Sequence, residues 1–227
     1  MAGLFTHVWI ANLVLQKLSA KGFISEPENI DDYFFGAVAP DIRYISSSNR
    51  DVTHKPKGEN SIFEAMKVSS LSAPFMAGYE THLIVDQTWS NENGLMKESI
   101  YKHYGVDVNG LVQKFSLYLA VDDYFQGESD WLFQVSAVGN ILRANDLSVL
   151  SWLGFGQNEI LKYKSFIALY LREPGIDTFN LLNVPQARLN ESAVKEVADL
   201  LSGLTSFLKE LKKVSVDQCV ESLEKYL

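Results

Sequence analysis

Cysteine, histidine and basic residues are all scarce in this sequence, and each shortage excludes a class of protein. The single cysteine, Cys219, cannot form an internal disulfide, which argues against a small secreted fold held by disulfide bonds. With 20 basic and 28 acidic residues the net charge is −8, and this disfavours bulk binding to nucleic acid because phosphate neutralisation needs a basic surface. Only four histidines occur, so an imidazole-based site would have to use most of them.

Long hydrophobic stretches are missing as well. No run of about 18 uncharged apolar residues occurs in the sequence, and we therefore expect no transmembrane segment. The apolar segment 4–18 lacks the basic start of a signal peptide and contains Thr6, His7 and Lys17. We expect a soluble, cytoplasmic protein whose hydrophobic residues, 47% of the chain, form one sizeable core.

Apolar residues spaced three and four apart predict helices through most of the chain. One apolar stripe begins at Leu4 and continues through Leu18. Further helices are predicted at residues 62–68, 74–89, 95–104, 108–125, 130–142, 157–171, 191–211 and 216–226. No strand ladder or hairpin turn is evident, so we predict an all-α fold, a multi-helix bundle. We expect one domain over residues 1–227, in which 1–125 carry the functional site and 126–227 form a C-terminal helical half.

Residues 25–60 interrupt this helical pattern. Pro27, Gly36 and Pro40 break any period, and the Ser-Ser-Ser-Asn run at 46–49 is typical of a loop. We therefore predict a long irregular segment. Such a segment is uncommon inside a compact domain unless it serves a function.

The most informative local pattern is a histidine and an aspartate four residues apart in a predicted helix, His82 and Asp86. At this spacing both side chains project from one face of the helix and can bind one cation. A catalytic zinc ion usually has at least three protein ligands, so the pair alone is incomplete. The alternative is a surface hydrogen bond, or a buried histidine oriented by the carboxylate.

Three further residues could complete such a site, and each has an ordinary structural alternative. Asp41 follows an apolar run and a proline, where an aspartate commonly caps a helix or turn. His54 lies in polar surroundings, where a histidine without a function is solvated. His7 lies on the apolar N-terminal helix, where it could be a core histidine bonded to a backbone carbonyl. The coincidence of three histidines with two aspartates favours a metal site, whereas His103 is interpreted as a surface residue.

Taken in order, these segments resemble the zinc-dependent phospholipase C family. The matching pieces, all within about the first 90 residues, are Thr6-His7, Gly36-Ala37-Val38-Ala39-Pro40-Asp41, Thr53-His54, and the stretch from Gly78 to Asp86 with Trp89 behind it. Members of this family are all-helical hydrolases in which a cluster of zinc ions cleaves phosphodiesters. The resemblance implies the same fold and the same class of reaction here.

The resemblance also implies roles for individual residues. His54, His82, Asp86 and Asp41 would surround one zinc ion, and Asp86 would bridge to a second ion that His7 also binds. Asp41 is either a ligand or the general base that accepts the proton of the attacking water. A zinc-bound water is acidified towards neutral pH, and cations offset the charge that builds up on phosphoryl oxygens. We therefore predict Asp41 and Asp86 as catalytic residues and all five side chains as metal ligands.

Two departures from the family pattern affect the number of ions. Secreted members use a mature amino-terminal tryptophan as a ligand, whereas no tryptophan leads this sequence. The further histidine and the His-x-x-x-Glu pair of fuller members are also missing. We predict between one and three zinc ions, with His103, Asp122 and Asp123 as candidate substitute ligands.

The predicted substrate is a small-molecule or lipid phosphoester. No lipid-binding appendage is recognisable, and the −8 charge opposes binding to anionic membranes. Two alternatives remain: a non-catalytic helical module stabilised by a metal, and a metal-free interaction protein that uses the apolar stripe of residues 191–211. Aromatic residues near the motifs are expected in the core rather than along a groove; these are Phe34, Phe35, Tyr44, Tyr79 and Trp89.

Overall fold

The fold is built from helices throughout the part of the chain that the computed structural model describes, and the all-α prediction is confirmed there because no strand occurs. The described residues are 3–22, 26–46, 48, 50–54, 73–104, 111–144, 150–151, 153–173, 175–181 and 191–224. The helices are α1 (Leu4–Ser19), α2 (Pro27–Val38), a 3-10 helix (Ala39–Ile42), α3 (Arg43–Ser46), α4 (Arg50–His54), α5 (Ala73–Tyr104), α6 (Leu111–Glu128), α7 (Trp131–Arg143), α8 (Gln157–Arg172), α9 (Ile176–Phe179), α10 (Glu191–Ser202) and α11 (Thr205–Leu223). None of these helices is long and apolar enough to cross a membrane.

Helix α5 packs against α1, α2 and α11, and its crossing with α2 is very close. Two glycines permit this approach. A Cβ atom on Gly36 would lie 2.1 Å from a backbone oxygen of α5, and one on Gly78 would lie 2.0 Å from a backbone oxygen of α2. The crossing brings the carbonyl oxygen of Ala37 to 2.9 Å from Nδ1 of His82. The helix packing therefore fixes the orientation of a predicted site residue.

A buried aspartate of α6 fixes the start of α1. Asp122 accepts hydrogen bonds from the backbone N–H groups of Phe5 (3.0 Å) and Thr6 (2.8 Å). It also accepts from the hydroxyls of Thr6 (2.6 Å) and Tyr170 (2.9 Å). Gly3 leaves room for this contact, since a Cβ atom there would lie 2.3 Å from a carboxylate oxygen of Asp122. The carboxylate satisfies amides that have no partner within the first turn, and its charge suits a helix N-terminus.

The aromatic residues near the motifs lie mostly in the core. Four of them are at most 3% exposed, and core packing is confirmed for these: Phe34, Phe35, Tyr79 and Trp89. The fifth, Tyr44, is partly buried and lines a cavity. Three described members of the apolar stripe predicted at 191–211 are at most 3% exposed, Val197, Leu201 and Leu208, and Val194 and Leu204 are partly buried against the core. This burial contradicts the use of that stripe as an interaction surface.

The prediction of a long irregular segment at 25–60 was wrong. Helix α2, the 3-10 helix, α3 and α4 occupy much of it. Pro27 lies at the start of α2, where a missing N–H costs nothing, and Pro40 lies in the first turn of the 3-10 helix. Gly36 is required by the crossing with α5. Each helix-breaking residue therefore occupies a position that tolerates it.

Two predicted helix boundaries were also wrong. Helix α5 continues through the break expected at Gly94, because an interior glycine costs only about 1 kcal/mol relative to alanine. The helices predicted at 191–211 and 216–226 are instead α10 and α11, which divide inside the first of these ranges. The helix predicted at 62–68 lies outside the described residues.

Candidate metal centre

The five predicted site residues lie together in the interior of the protein. Helix α1 supplies His7, the 3-10 helix supplies Asp41, and α4 supplies His54. Helix α5 supplies both His82 and Asp86. All five are buried, and none is more than 8% exposed. Side chains from four separate helical elements thus form one cluster.

The atoms that can bind a metal face one another across short distances. The Nε2 atoms of His54 and His82 are 3.3 Å apart, and Nε2 of His54 lies 3.4 Å from Oδ2 of Asp86. The other oxygen of Asp86 lies 3.4 Å from Nε2 of His7. Oδ1 of Asp41 is 3.8 Å from Nε2 of His54. Asp86 therefore faces His7 with one oxygen and His54 with the other, as a bridging carboxylate would.

Contacts on the far side of two imidazoles determine which nitrogen faces the cluster. Nδ1 of His82 donates to the carbonyl oxygen of Ala37 (2.9 Å), so Nε2 of the neutral ring carries a lone pair. The Thr53 hydroxyl donates to the carbonyl oxygen of Arg50 (3.4 Å) and accepts from Nδ1 of His54 (2.8 Å). Nε2 of His54 then also carries a lone pair. A cation bound between the two lone pairs would stabilise this arrangement.

Several buried atoms of the cluster have no hydrogen-bond partner among the described residues. They are Oδ1 of Asp41 and both ring nitrogens of His7. One of these nitrogens, Nε2, lies 3.4 Å from Asp86. A buried polar group left unsatisfied costs about 1–3 kcal/mol. Ligand atoms at about 2.0–2.1 Å from a tetrahedral zinc ion lie about 3.3 Å from one another. The His54–His82 distance is 3.3 Å, and Asp86 lies 3.4 Å from both His54 and His7. These distances match the spacing of zinc ligands, so the residues fit zinc.

Burial and close contact set the protonation states in the cluster. Burial, reinforced by neighbouring His7, holds the pKa of His82 well below its ordinary value, so the ring is neutral at pH 7. Burial raises the pKa of Asp41. In Asp86 the same effect of burial is outweighed by contacts with His54 and His7, which hold its pKa well below the ordinary value. The rings of His7 and His82 stack with centroids 3.7 Å apart. Neutral imidazoles and an ionised carboxylate are the forms that bind zinc.

Two overlapping sets of three residues have the spacing of a metal site. One set is His54, His82 and Asp86, and the other is His7, Asp41 and His82. In each set the potential ligand atoms all lie within 4.8 Å of one another. Asp41, which the resemblance groups with His54, lies 3.8 Å from His54 and also belongs to the set that contains His7. Because His82 belongs to both sets, they describe one compact centre.

The ordinary structural alternatives for these residues can now be compared with the structure. His54 is helical and 8% exposed, so it is not a solvated loop histidine. His7 has no hydrogen bond to a backbone carbonyl within the described residues. No described backbone N–H donates to Oδ1 of Asp41, so this oxygen does not cap a helix. His82 is oriented by a backbone carbonyl, that of Ala37, rather than by a carboxylate.

Two arginines beside the cluster were missed by sequence reasoning. Nη2 of Arg50 donates to Oδ2 of Asp86 at 2.6 Å, and Nε of Arg43 lies 3.7 Å from Oδ1 of Asp41. Arg50 precedes His54 by four residues in one helix, the same spacing that identified the pair on α5. The spacing did not identify Arg50, because the segment that contains it was predicted to be irregular rather than helical.

The candidate substitute ligands do not join the cluster in the described residues. Both carboxylate oxygens of Asp122 accept hydrogen bonds from the first turn of α1, and Asp123 is exposed. Neither belongs to a set with metal-site spacing. The side chain of His103 lies outside the described residues.

An apolar cavity adjoins the cluster at Asp41. Tyr44 of α3, residues of α6 and α8, and the start of α1 form its walls. Most of the lining side chains are aromatic, and they include Phe115, Tyr118, Tyr163, Phe166, Tyr170 and Phe179. A nonpolar group of a ligand could therefore bind next to the candidate centre.

Comparison with known proteins identifies one family. A protein-family model described as zinc dependent phospholipase C matches residues 6–133. The match extends beyond the first 90 residues, contains all five cluster residues and covers more than half of the 227-residue chain. No curated protein and no solved structure gives a significant match. The chain belongs to the zinc-dependent phospholipase C family.

Proposed function

We propose that the protein is a zinc-dependent hydrolase of phosphoester or phosphodiester bonds. The observation that carries this proposal is the buried cluster of three histidines and two aspartates with unsatisfied polar atoms. Membership of the zinc-dependent phospholipase C family supports the same reaction class. A cluster of this kind is expensive to bury without a cation, because the ring nitrogens of His7 and Oδ1 of Asp41 have no hydrogen-bond partner among the described residues.

In this proposal His54, His82 and Asp86 would hold one zinc ion, and His7 and Asp41 would extend the site next to His82. Asp86 is placed to bridge, since its two oxygens face different histidines. Zinc bound here would acidify a water molecule and offset the negative charge that develops on phosphoryl oxygens. The two sets share His82, whose one free ring nitrogen can bind a single ion, so they support at least one ion within the predicted range of one to three.

Asp41 and Asp86 have different proposed roles because their surroundings differ. The pKa of Asp86 is well below its ordinary value, which suits a carboxylate that stays ionised as a ligand. Burial raises the pKa of Asp41, and a raised pKa suits a group that accepts a proton from the attacking water. The positive charge of Arg43, 3.7 Å from Asp41, opposes part of this rise in pKa.

The proposed substrate is a small-molecule or lipid phosphoester with a nonpolar group next to the phosphoryl centre. The aromatic cavity beside Asp41 supports the nonpolar group. The net charge of −8 favours an uncharged or zwitterionic lipid surface over an anionic one, if the substrate is a lipid.

The proposal is tested by comparing metal-free and zinc-reconstituted protein on two substrates. These are dispersed phosphatidylcholine and the water-soluble diester bis(4-nitrophenyl) phosphate. We expect turnover only after zinc is restored, and a loss of at least about 100-fold in His82→Ala and Asp86→Asn. Asp123→Asn, which changes an exposed aspartate outside the cluster, should retain the wild-type rate. A native protein that binds no zinc would contradict the proposal.

The same cluster also supports a second candidate, a helical module in which zinc has a purely structural role. Its ligands come from four helical elements, so a bound ion would crosslink them and stabilise the fold. Both candidates predict a lower melting temperature after zinc removal. Stoichiometric zinc with no turnover of either diester would favour the structural module.

A further inference from the structure

Arg50 combines a buried contact with an exposed guanidinium. Its side chain is 43% exposed, yet its Nη2 atom donates to Oδ2 of Asp86, a carboxylate that is only 4% exposed. Oδ2 is also the oxygen that faces His54 at 3.4 Å. Arg50 thus reaches from the protein surface to an atom of the candidate metal centre.

The remaining donors of Arg50 are available for a ligand. A guanidinium carries five N–H donors in a rigid fork, and the contact with Asp86 uses one edge of it. Within the described residues Asp86 is the only carboxylate that forms an ion pair with Arg50. An oxyanion bound at the mouth of the cluster could accept two parallel hydrogen bonds from the other edge.

Arg43 is less suited to this task, although it is also cationic and near the cluster. Its side chain is only 13% exposed, and Nη2 donates to the Tyr44 hydroxyl at 2.5 Å. Its guanidinium carbon also lies 4.0 Å from the centroid of the Tyr44 ring. Arg43 is therefore committed to contacts with Tyr44 and Asp41 and acts through them.

We propose that Arg50 binds the phosphoryl oxygens of the substrate while its contact with Asp86 holds the guanidinium in place. This inference rests on the proposed function, because it requires a phosphoryl group at the cluster. In a chain of net charge −8 an anion is attracted only where positive charge is local, and Arg50 would add its charge to that of the bound zinc. The class of ligand recognised is a tetrahedral oxyanion, and phosphate is its simplest member.

The test measures binding of inorganic phosphate to the zinc-loaded protein, freed of excess zinc, by isothermal titration calorimetry. Arg50→Ala should weaken phosphate binding by at least about tenfold, which is the scale of one charged hydrogen-bonding contact. Arg50→Lys should recover part of the loss, because lysine restores the charge without the fork. Zinc content and melting temperature should remain as in the wild-type protein.

Arg143→Ala is the matched control. Arg143 is 61% exposed and pairs with Asp31, a carboxylate 9% exposed, so it reproduces the Arg50–Asp86 pair away from the cluster. This variant should bind phosphate like the wild-type protein.

Failure of this inference can be distinguished from failure of the proposed function. Wild-type protein that binds no zinc would overturn both. Zinc-loaded wild-type protein that binds no phosphate, or Arg50→Ala with unchanged phosphate affinity, would overturn the inference alone. Loss of zinc from Arg50→Ala would also overturn it, because Arg50 would then serve only to hold Asp86.

Discussion

Two buried carboxylates of this protein differ in how their oxygens are satisfied. Asp122 is fully buried and accepts hydrogen bonds from Phe5, Thr6 and Tyr170. Asp41 is 6% exposed, and its Oδ1 has no hydrogen-bond partner among the described residues. Burial raises the pKa of both. Burial alone therefore does not distinguish a structural aspartate from a candidate metal ligand, whereas the set of donors around each aspartate differs.

The two regions also depend on each other. The contacts of Asp122 fix the first turn of α1, and the residue after Thr6 is His7. A fully satisfied carboxylate thus positions a helix that presents an unsatisfied imidazole to the cluster. Functional sites commonly contain groups that are unfavourable for stability and that the surrounding structure holds in place.

The largest expected effect is a loss of stability in the Asp122→Ala variant. Removing this carboxylate leaves several buried donors without an acceptor, at about 1–3 kcal/mol each, so we expect a loss of about 3–5 kcal/mol. For a chain of this size the melting temperature should fall by about 10 °C. Denaturant unfolding of the metal-free protein measures the loss, and Asp123→Ala, its exposed neighbour, should change stability by less than about 0.5 kcal/mol. Equal stability of the two variants would show that Asp122 has no structural role.

Asp41→Asn, unlike Asp122→Ala, should weaken zinc binding without lowering the stability of the metal-free protein. We expect zinc affinity to fall by about 100-fold or more, because even partners outside the ligand shell contribute 10- to 100-fold. The stability of the metal-free protein should stay the same or rise, since ionised Asp41 is unfavourable in its buried position. Competition with a zinc chelator and denaturant unfolding measure the two quantities. A destabilised variant with unchanged zinc affinity would place Asp41 with Asp122 as a structural residue.

The two regions should also differ in the pH dependence of metal-free stability. The pKa of folded His82 lies below its ordinary value of 6.5, so the unfolded state binds more protons in the window below 6.5. Stability should therefore fall as the pH falls through that window, by at most about 1.4 kcal/mol per pH unit for one proton. Asp122 has a raised pKa, so its contribution has the opposite sign and decreases as the pH rises above 3.8.

Unfolding curves recorded from about pH 7 down to about pH 5 measure the contribution of His82, because they span the pH range in which its unfolded state takes up a proton. His82→Gln should have a flatter profile there than the wild-type protein. An unchanged slope in this variant would indicate that another group titrates in the window.

The smallest expected effect is that of Arg143→Ala. Its pair with Asp31 is largely exposed on the arginine side, and such pairs contribute about 0–1 kcal/mol. Zinc content should be unchanged, because Arg143 makes no contact with the cluster in the described residues. A loss of zinc in this variant would show that the centre responds to general destabilisation.

Much of the fold and the candidate site could be predicted from local sequence patterns. The stripe from Leu4 to Leu18 corresponds to α1, and the four-residue spacing of His82 and Asp86 corresponds to one face of α5. The order of the motifs was sufficient to identify the family. The single domain over 1–227 and the metal-ligand roles themselves stay predictions.

The errors came from residues whose role depends on a distant neighbour. Gly36 indicated a loop because its contact with α5 is invisible in the local sequence. Asp122 was a candidate ligand because nothing near it in the sequence shows that the start of α1 occupies its oxygens. The contact of Arg50 with Asp86 could not be predicted locally, because the two residues lie 36 positions apart.

Elemental analysis of the purified protein is the most direct measurement of whether the cluster is a metal centre. We expect at least about one zinc ion per chain in the native protein. His82→Ala should lose this zinc, whereas Asp123→Asn should keep it. A native protein without zinc, after expression and dialysis with zinc supplied, would contradict the metal centre.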